Sequence, residues 1–559
     1  MGKKVLIVGG VAGGASCAAR LRRLDENAEI IMFERGEYIS FANCGLPYHI
    51  SGEIEDREEL ILQTKESFNE RFDVDVRLKN EVIAVDKEKK QVTVKDLMTD
   101  EEYTESYDTL VLSAGSSPLR PPIPGIDSEK INVLWNIPDM DRIKEILDEQ
   151  NVKKAVVVGG GFIGIEMAEN LTHAGVKVTI VEMLNQVMSP LDWDMAQIVH
   201  KHLVKKGVDL VLDDGVKSFE EKGNSIIVNT NSGRVLDVDT VILAIGVRPN
   251  SKLAIDAGLE VNKRGGVVID ETLKTSDENI YAIGDMVETK DFMTKGRTMV
   301  PLAGPANKMG RMAADNISGM KRKYRGTQGS AVAKVFDLTV ANTGKNEKQL
   351  NAMGLGIDKD YKVTLIHPGS HAGYYPGAKT LTLKVIFEKD GGKVLGAQGV
   401  GYEGVDKRID VLATAINFGA TVYDLEELEL CYAPPYSSAK DPVNMSGFYG
   451  ENILSDTSDN MLFTQLKDLK ENQQILDVRT VGEVKRGEIE NSINIPVDEL
   501  RDRLGELDKS KEYVVSCAVG IRAHTASRIL MQNGFKGVKN LAGGYTTYSV
   551  LNKDYSLPK

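Results

Sequence analysis

Two stretches of this chain repeat one pattern about 150 residues apart, and that repeat limits the fold more than any other feature. Val5 to Val8 is an apolar run that ends in Gly9-Gly10-Val11-Ala12-Gly13-Gly14; small residues follow at helical spacing (Ala15, Ala18, Ala19), and a second apolar run, Ile30 to Phe33, stops at Glu34. Ala155 to Val158 leads likewise into Gly159-Gly160-Gly161-Phe162-Ile163-Gly164, and Val178 to Val181 stops at Glu182. Each stretch reads as the strand, glycine turn, helix and strand of a dinucleotide-binding unit. Gly9 and Gly159 permit the tight turn, Gly161 leaves room for a pyrophosphate, and Gly14 and Gly164 let helix and strand pack closely. The helix N-terminus then offers free N–H groups to the phosphates. The first loop departs from the pattern, with Val11 in place of its middle glycine. Glu34, 25 residues after Gly9, is placed to accept hydrogen bonds from an adenosine ribose. Glu182 favours a free ribose 2′-OH, hence NADH over NADPH, and no Arg or Lys stands between Met183 and Pro190 to receive a 2′-phosphate. Two such sites imply two cofactors, with hydride transfer between them as the simplest use.

Composition bounds the rest. At 559 residues the chain is too long for one core, and roughly 150 residues per domain gives about four domains. A formal net charge of -13 argues against nucleic acid as a partner, since phosphate binding needs a surplus of Lys and Arg. No apolar run approaches the ~18 residues of a membrane span, so no membrane partner is expected and the cytoplasm is the expected location. The four cysteines, Cys17, Cys44, Cys431 and Cys517, form no C-x-x-C pair. Neither a zinc site nor a disulfide framework is expected, and the metal assignment is none. Cys17, among alanines on the first helix, and Cys431 read as packing residues.

Thr275-Ser276-Asp277-Glu278-Asn279-Ile280-Tyr281-Ala282-Ile283-Gly284-Asp285 adds a third motif. With the two glycine loops it resembles the pyridine nucleotide-disulfide oxidoreductase superfamily over about residues 1 to 450. The resemblance implies FAD at the first site and NADH or NADPH at the second. It gives Asp285 the flavin's ribityl chain, and makes Leu112-Ser113-Ala114-Gly115, with Ala114 at the cofactor, and Ala244-Ile245-Gly246 the crossovers between nucleotide domains. Most disulfide reductases of that superfamily carry a C-x-x-x-x-C pair beside the flavin. Here the corresponding segment is Ser40-Phe41-Ala42-Asn43-Cys44-Gly45-Leu46-Pro47-Tyr48, with one cysteine. That resembles the single-cysteine subgroup of coenzyme A-disulfide reductases, NADH peroxidases and NADH oxidases. Without a partner thiol, Cys44 can store oxidising equivalents only as a mixed disulfide with a small thiol, a persulfide or a sulfenic acid.

Two further segments resemble coenzyme A-disulfide reductases: Tyr432-Ala433-Pro434-Pro435-Tyr436-Ser437-Ser438-Ala439-Lys440-Asp441, and His371-Ala372-Gly373-Tyr374-Tyr375-Pro376-Gly377. The resemblance makes Tyr432 and Tyr374 active-site phenols able to assist a departing thiolate, with Tyr432 reaching the flavin. Peroxidases of the subgroup use a histidine on the first helix, and Ala15-Ser16-Cys17-Ala18-Ala19-Arg20 holds none. Coenzyme A carries phosphates that want Arg partners. By the same resemblance Ser16, Arg20, Arg23, Ser40, Asn43, Arg71, Asn307 and Lys440 bind substrate, although glutamine is common in the family where Arg20 stands.

Near the C-terminus, Ile475 to Arg479 and Glu488 to Pro496 precede Val514-Val515-Ser516-Cys517-Ala518-Val519-Gly520-Ile521-Arg522. A strand running into a cysteine-led loop and then a helix makes a nest of backbone N–H groups, which with Arg522 stabilises a thiolate or persulfide. The segment resembles a rhodanese domain, and Leu541 to Tyr545 agrees with it. Cysteine phosphatases place five residues between Cys and Arg; four stand here, so a sulfane sulfur fits better than a phosphate.

The expected fold class is α/β: two Rossmann-like domains, for FAD at 1–149 and 255–325 and for NAD(P) at 150–254, an α+β dimerisation domain at 326–450, an irregular linker at 451–460 and an α/β rhodanese domain at 461–559. The expected activity is flavin-dependent reduction of coenzyme A-persulfide, polysulfide or coenzyme A-disulfide by NAD(P)H through Cys44, with Cys517 handling sulfane sulfur. Partners are coenzyme A species, sulfane sulfur donors and a second copy in a homodimer. The alternatives are an NADH oxidase or peroxidase of the same subgroup, and a redox sensor in which the flavin reports thiol status.

Overall fold

The computed structural model describes residues 2–558, and the chain falls into two compact units, residues 1–183 with 214–329 and residues 184–213 with 330–559. In the first unit, strand Lys4–Val8 pairs in parallel with Glu29–Glu34 on one side and Thr109–Leu112 on the other. Asp75–Leu78 and Ile280–Ala282 complete the sheet at its two edges. The last pairing brings the strand before Gly284-Asp285 back beside the first glycine loop. Residues Val5, Leu6 and Ile7 have no solvent exposure, as expected for a parallel strand covered on both faces. A second parallel sheet aligns Lys177–Val181, Lys154–Val158, Thr240–Leu243 and Ile131–Asn132. The two crossover segments meet as an antiparallel pair, Ser116–Pro118 with Val247–Pro249.

In the second unit, an antiparallel sheet runs Ala331–Val335, Leu338–Gly344, Val394–Gly401, Leu381–Glu388, Tyr361–Ile366, with helices Val405–Phe418 and Pro442–Leu454 packed on it. A parallel sheet of strands Asn460–Met461, Lys539–Leu541, Glu512–Ser516, Gln473–Asp477 and Ile493–Asn494 follows. Helix Ile521–Gln532 packs on its strands Glu512–Ser516 and Lys539–Leu541.

Residues 184–213, inside the stretch 150–254 assigned above to the nucleotide domain, share the second compact unit. Helix Trp193–Lys205 packs there against strand Val394–Gly401 and helix Gly544–Leu551. Its first turn is fixed by charge: the fully buried Lys384 ammonium bonds Asp192 at 3.1 Å, Asp194 at 2.8 Å and Glu347 at 2.5 Å. Within the expected linker at 451–460, residues 455–459 stand in neither helix nor strand. Glu451 to Leu454 are the last turn of helix Pro442–Leu454, and Asn460 opens a strand.

Candidate active site

The two glycine loops share one geometry. Gly9 has φ +101°, a conformation that costs an L side chain strain, and a Cβ on Gly14 would lie 1.8 Å from the Gly9 carbonyl oxygen. Gly159 and Gly164 repeat both constraints. Glu34 closes the first loop from outside, accepting the Gly10 N–H at 2.9 Å and the Gly36 N–H at 2.8 Å. Glu182 accepts the Gly160 N–H at 2.7 Å. Both acids expected at a ribose therefore also brace the phosphate turn. A Cβ on Gly161 would meet nothing within 4 Å, so the second loop keeps an open face where a pyrophosphate would lie. Asp285 follows strand Ile280–Ala282 and has the Ser116 hydroxyl 3.3 Å away. Burial pushes its carboxyl above the usual range, and a polyol hydroxyl donating to it would, like Ser116, favour the ionised form. The Ala114 carbonyl accepts from Asn250 at 2.8 Å. These residues fit a flavin dinucleotide at the first loop and a nicotinamide dinucleotide at the second.

Cys44 is solvent-exposed in the single turn Asn43–Gly45 that leads into helix Leu46–Ser51. The segment before it is pinned to the first glycine loop: Ser40, at φ +45°, donates its N–H to the Gly10 carbonyl at 2.9 Å. Although water reaches it, protein crowding desolvates the thiol and pushes its pKa up, and the charge of Glu166 adds to the effect. Glu166 lies on helix Phe162–His173, which packs against Leu46–Ser51; burial and the neighbouring Glu169 push it up to about 7. The sequence reading missed it, though a carboxylate two residues after the last fingerprint glycine, among the apolar residues of the helix's first turns, was a usable sign. Glu166→Gln removes a negative charge facing the thiol. The Cys44 thiol pKa then falls, and its alkylation at neutral pH speeds up by about two- to fivefold, measured by peptide mass spectrometry across pH.

The expected substrate residues divide. Ser16 donates to Asn307, joining helix Ala12–Arg22 to helix Ala303–Ile317. Arg20 donates to Asp315 at 2.8 Å, and because Asp315 is buried this pair restrains a guanidinium that the sequence left free for phosphate. Arg23 stacks over the Phe72 ring at 5.9 Å, and the exposed Arg71 lies on the last turn of helix Lys65–Phe72. Among the described residues neither Arg23 nor Arg71 is ion-paired, so this corner keeps the cations a phosphate needs. Asn43 donates to the Trp135 carbonyl at 3.2 Å.

In the second unit Tyr374 and Tyr432 share a hydrogen bond between their hydroxyls at 2.8 Å, and both rings are exposed. Arg408, not anticipated from sequence, fastens their two loops. Its buried guanidinium bonds Asp441 at 2.9 Å, the Ser370 carbonyl at 3.0 Å and the Ser437 hydroxyl at 3.1 Å. Lys440 is exposed beside Asp441. Cys517 sits at the floor of its loop, with the Gly520 N–H pointing at Sγ over 3.1 Å. Arg522 forms a two-pronged pair with Glu483, at 2.8 and 2.6 Å, which holds the Glu483 carboxyl down to about 2. Of the other cysteines, Cys17 is buried and pushed up to about 12 by burial, as a packing residue should be. Cys431, also expected to pack, is exposed: its neighbours in the Glu429–Pro434 stretch form no helix or strand that could cover it.

Residues 3–310 match the family model for pyridine nucleotide-disulphide oxidoreductase, 330–442 that family's dimerisation domain, and 462–550 a rhodanese-like domain. The coenzyme A disulfide reductase of Staphylococcus haemolyticus is 36% identical over 454 residues, 81% of this chain and 100% of that protein. The crystal structure of reduced Bacillus anthracis CoADR-RHD matches with a TM-score of 0.96 at 52% identity, covering 99% of this chain and 98% of that one. A NAD-dependent persulfide reductase from A. fulgidus matches with a TM-score of 0.92 at 38% identity, over 98% of this chain and 100% of that one. No helix among the described residues is long and apolar enough to cross a membrane. With its two dinucleotide loops, its exposed Cys44 thiol and its C-terminal cysteine loop, this chain belongs to the pyridine nucleotide-disulphide oxidoreductase family, whose members use FAD and NAD(P)H, and carries a rhodanese-like domain.

Proposed function

We propose that the protein reduces the persulfide of coenzyme A, and coenzyme A disulfide, at the expense of NADH or NADPH, working in the cytoplasm as a homodimer. The observation that carries this reading is Cys44: an exposed thiol in no disulfide, pinned to the first glycine loop, with its nearest cysteine in sequence, Cys17, 27 residues away and buried. Such a thiol can turn over a sulfur–sulfur bond only by exchanging with an external thiol carrier. The Cys44 thiolate attacks R–S–S–H, the S–S bond breaks, and one sulfur leaves as thiolate while the other stays on Cys44. Gly9, Gly14, Glu34 and Asp285 would hold FAD, which when bound would supply the electron pair, drawn from NAD(P)H, needed to release the second sulfur. The sum is R–S–S–H with NADH and one proton giving R–SH, hydrogen sulfide and NAD+. Ser16, Ser40, Asn43, Arg71, Asn307 and Lys440, with Arg20 and Arg23, bind the carrier; Tyr374 and Tyr432 donate to the leaving thiolate. Cys517, steadied by Arg522 and the Gly520 N–H, accepts or delivers sulfane sulfur from a donor. The names of the relatives, a coenzyme A disulfide reductase and a persulfide reductase, support the substrate class.

Anaerobic NADH oxidation tests the reading. Coenzyme A persulfide and coenzyme A disulfide should each drive steady oxidation, with sulfide released only from the persulfide. Persulfide turnover no faster than the background without enzyme overturns it.

A further inference from the structure

The sulfurtransferase loop does not stand on its own domain alone. Two contacts reach it from the part of the chain that precedes the rhodanese-like segment. Tyr449 lies on helix Pro442–Leu454, beyond the stretch matched by the dimerisation model and before the stretch matched by the rhodanese model. Its hydroxyl accepts from Asn540 Nδ2 at 3.3 Å, and the same amide donates to the Gly520 carbonyl at 3.2 Å. Gly520 in turn directs its N–H to Cys517 Sγ. The Gly520 peptide, at φ +103°, is held from the carbonyl end while its N–H faces the sulfur. Burial, together with nearby charge that includes Cys517, pushes the Tyr449 phenol up, so it remains a neutral hydroxyl at all working pH.

The second contact comes from the antiparallel sheet. His367, just after strand Tyr361–Ile366, bonds Thr382 Oγ1 at 2.9 Å through Nδ1 and Thr547 Oγ1 at 2.7 Å through Nε2. Thr547 stands in the first turn of helix Gly544–Leu551. That turn donates two N–H groups to the other end of the loop, Tyr545 to the Cys517 carbonyl at 2.8 Å and Thr546 to the Ala518 carbonyl at 3.0 Å. Both ends of the Cys517-to-Gly520 turn are thus tied, one through Asn540 and the other through the Tyr545–Thr547 turn, to side chains outside the rhodanese-like segment. Backbone donors aimed at a sulfur stabilise it as an anion only while they are held in place.

We propose that Tyr449 and His367 are positioning residues of the sulfurtransferase loop, holding the Gly520 N–H and the Cys517 and Ala518 carbonyls so that Cys517 takes up sulfane sulfur efficiently only with its domain docked on helix Pro442–Leu454 and the antiparallel sheet. The inference rests on the reading of Cys517 as a sulfur carrier. In the step it serves, the Cys517 thiolate attacks a sulfane sulfur of inorganic polysulfide, one S–S bond breaks, a Cys517 persulfide forms and the shortened polysulfide leaves with the electron pair.

The test uses the full-length holoenzyme and inorganic polysulfide, following sulfur gain on the Cys517 peptide by mass spectrometry across pH. In Tyr449→Phe and in Thr547→Val, loading at neutral pH should slow by about three- to tenfold, with the acid limb of the pH profile moved to higher pH and the rate recovering in alkali. NADH-dependent reduction of coenzyme A disulfide should stay at the wild-type rate. The two variants report independently, so failure of one to fold leaves the other decisive. Loading profiles that superimpose on wild type overturn the inference, whatever happens to the melting temperature. A wild-type Cys517 that gains no sulfur overturns the carrier reading, and this inference with it.

Discussion

Cys44→Ser abolishes reduction of coenzyme A disulfide and persulfide, by on the order of a thousandfold or more, as expected when the sole nucleophile of a covalent mechanism is lost. A serine hydroxyl does not ionise near neutral pH, and it cannot form the exchangeable bond to sulfur through which the thiol works. The two dinucleotide loops are built from Gly9, Gly14, Glu34, Gly159, Gly164 and Glu182, none of which the substitution touches. The variant should therefore retain its flavin and still be reduced by NADH in a single anaerobic turnover. Stopped-flow absorbance of the flavin, with and without disulfide, separates the two half-reactions. Disulfide turnover within tenfold of wild type would remove Cys44 from the mechanism. Rapid oxygen consumption by the variant with no sulfur compound present would point instead to an oxidase.

The largest stability effect belongs to Lys384. Its ammonium has no solvent exposure and meets three carboxylates, Asp192, Asp194 and Glu347. Burial and the two aspartates already push Glu347 up, while the ammonium opposes them. Lys384→Met leaves the three acids facing one another without the cation bonded to all of them, and breaking a buried ionic cluster in this way costs about 3–5 kcal/mol at pH 8. Without the lysine the cation that opposes the upward push on Glu347 is gone, and its folded-state pKa rises further above the unfolded value of about 4. The penalty is therefore absent below the unfolded pKa and grows as pH rises through the folded pKa. The gap in melting temperature between variant and wild type should be wide at pH 8 and narrow toward pH 5. Calorimetry at both values checks it, and equal melting temperatures at pH 8 would show that the cluster contributes nothing. Because Asp192 and Asp194 sit at the start of helix Trp193–Lys205, the same variant should loosen residues 184–213 first, as faster amide exchange there.

What the sequence disclosed, and what it hid, follows from the range of the interactions. The glycine loops were legible because their constraint is local: the Gly9 turn and the Gly14 approach lie within six residues of each other, and the acid that braces them ends the next strand. Cys44 and the Cys517-to-Arg522 spacing were legible for the same reason. Arg408, Lys384 and Tyr449 were not. Arg408 finds Asp441 33 positions later, Lys384 finds Asp194 190 positions earlier, and Tyr449 meets Asn540 91 positions on. No periodicity marks such partners, and each reads on its own helix or strand as an ordinary polar residue. Arg20 shows the same limit from the other side. A basic residue near a dinucleotide loop looked free, yet the carboxylate it bonds, Asp315, stands 295 residues away. The stretch 451–460 read as a linker because a helix end and a strand start, each too short to show a period, fall within it.

Turnover by a single thiol requires Cys44 to exchange sulfur with a coenzyme A carrier, and the mass of the Cys44 peptide measures that directly. Enzyme incubated anaerobically with coenzyme A disulfide and no reductant should carry one coenzyme A moiety on Cys44, lost on adding NADH. A Cys44 peptide of unmodified mass before and after, while disulfide is consumed with NADH present, would contradict it.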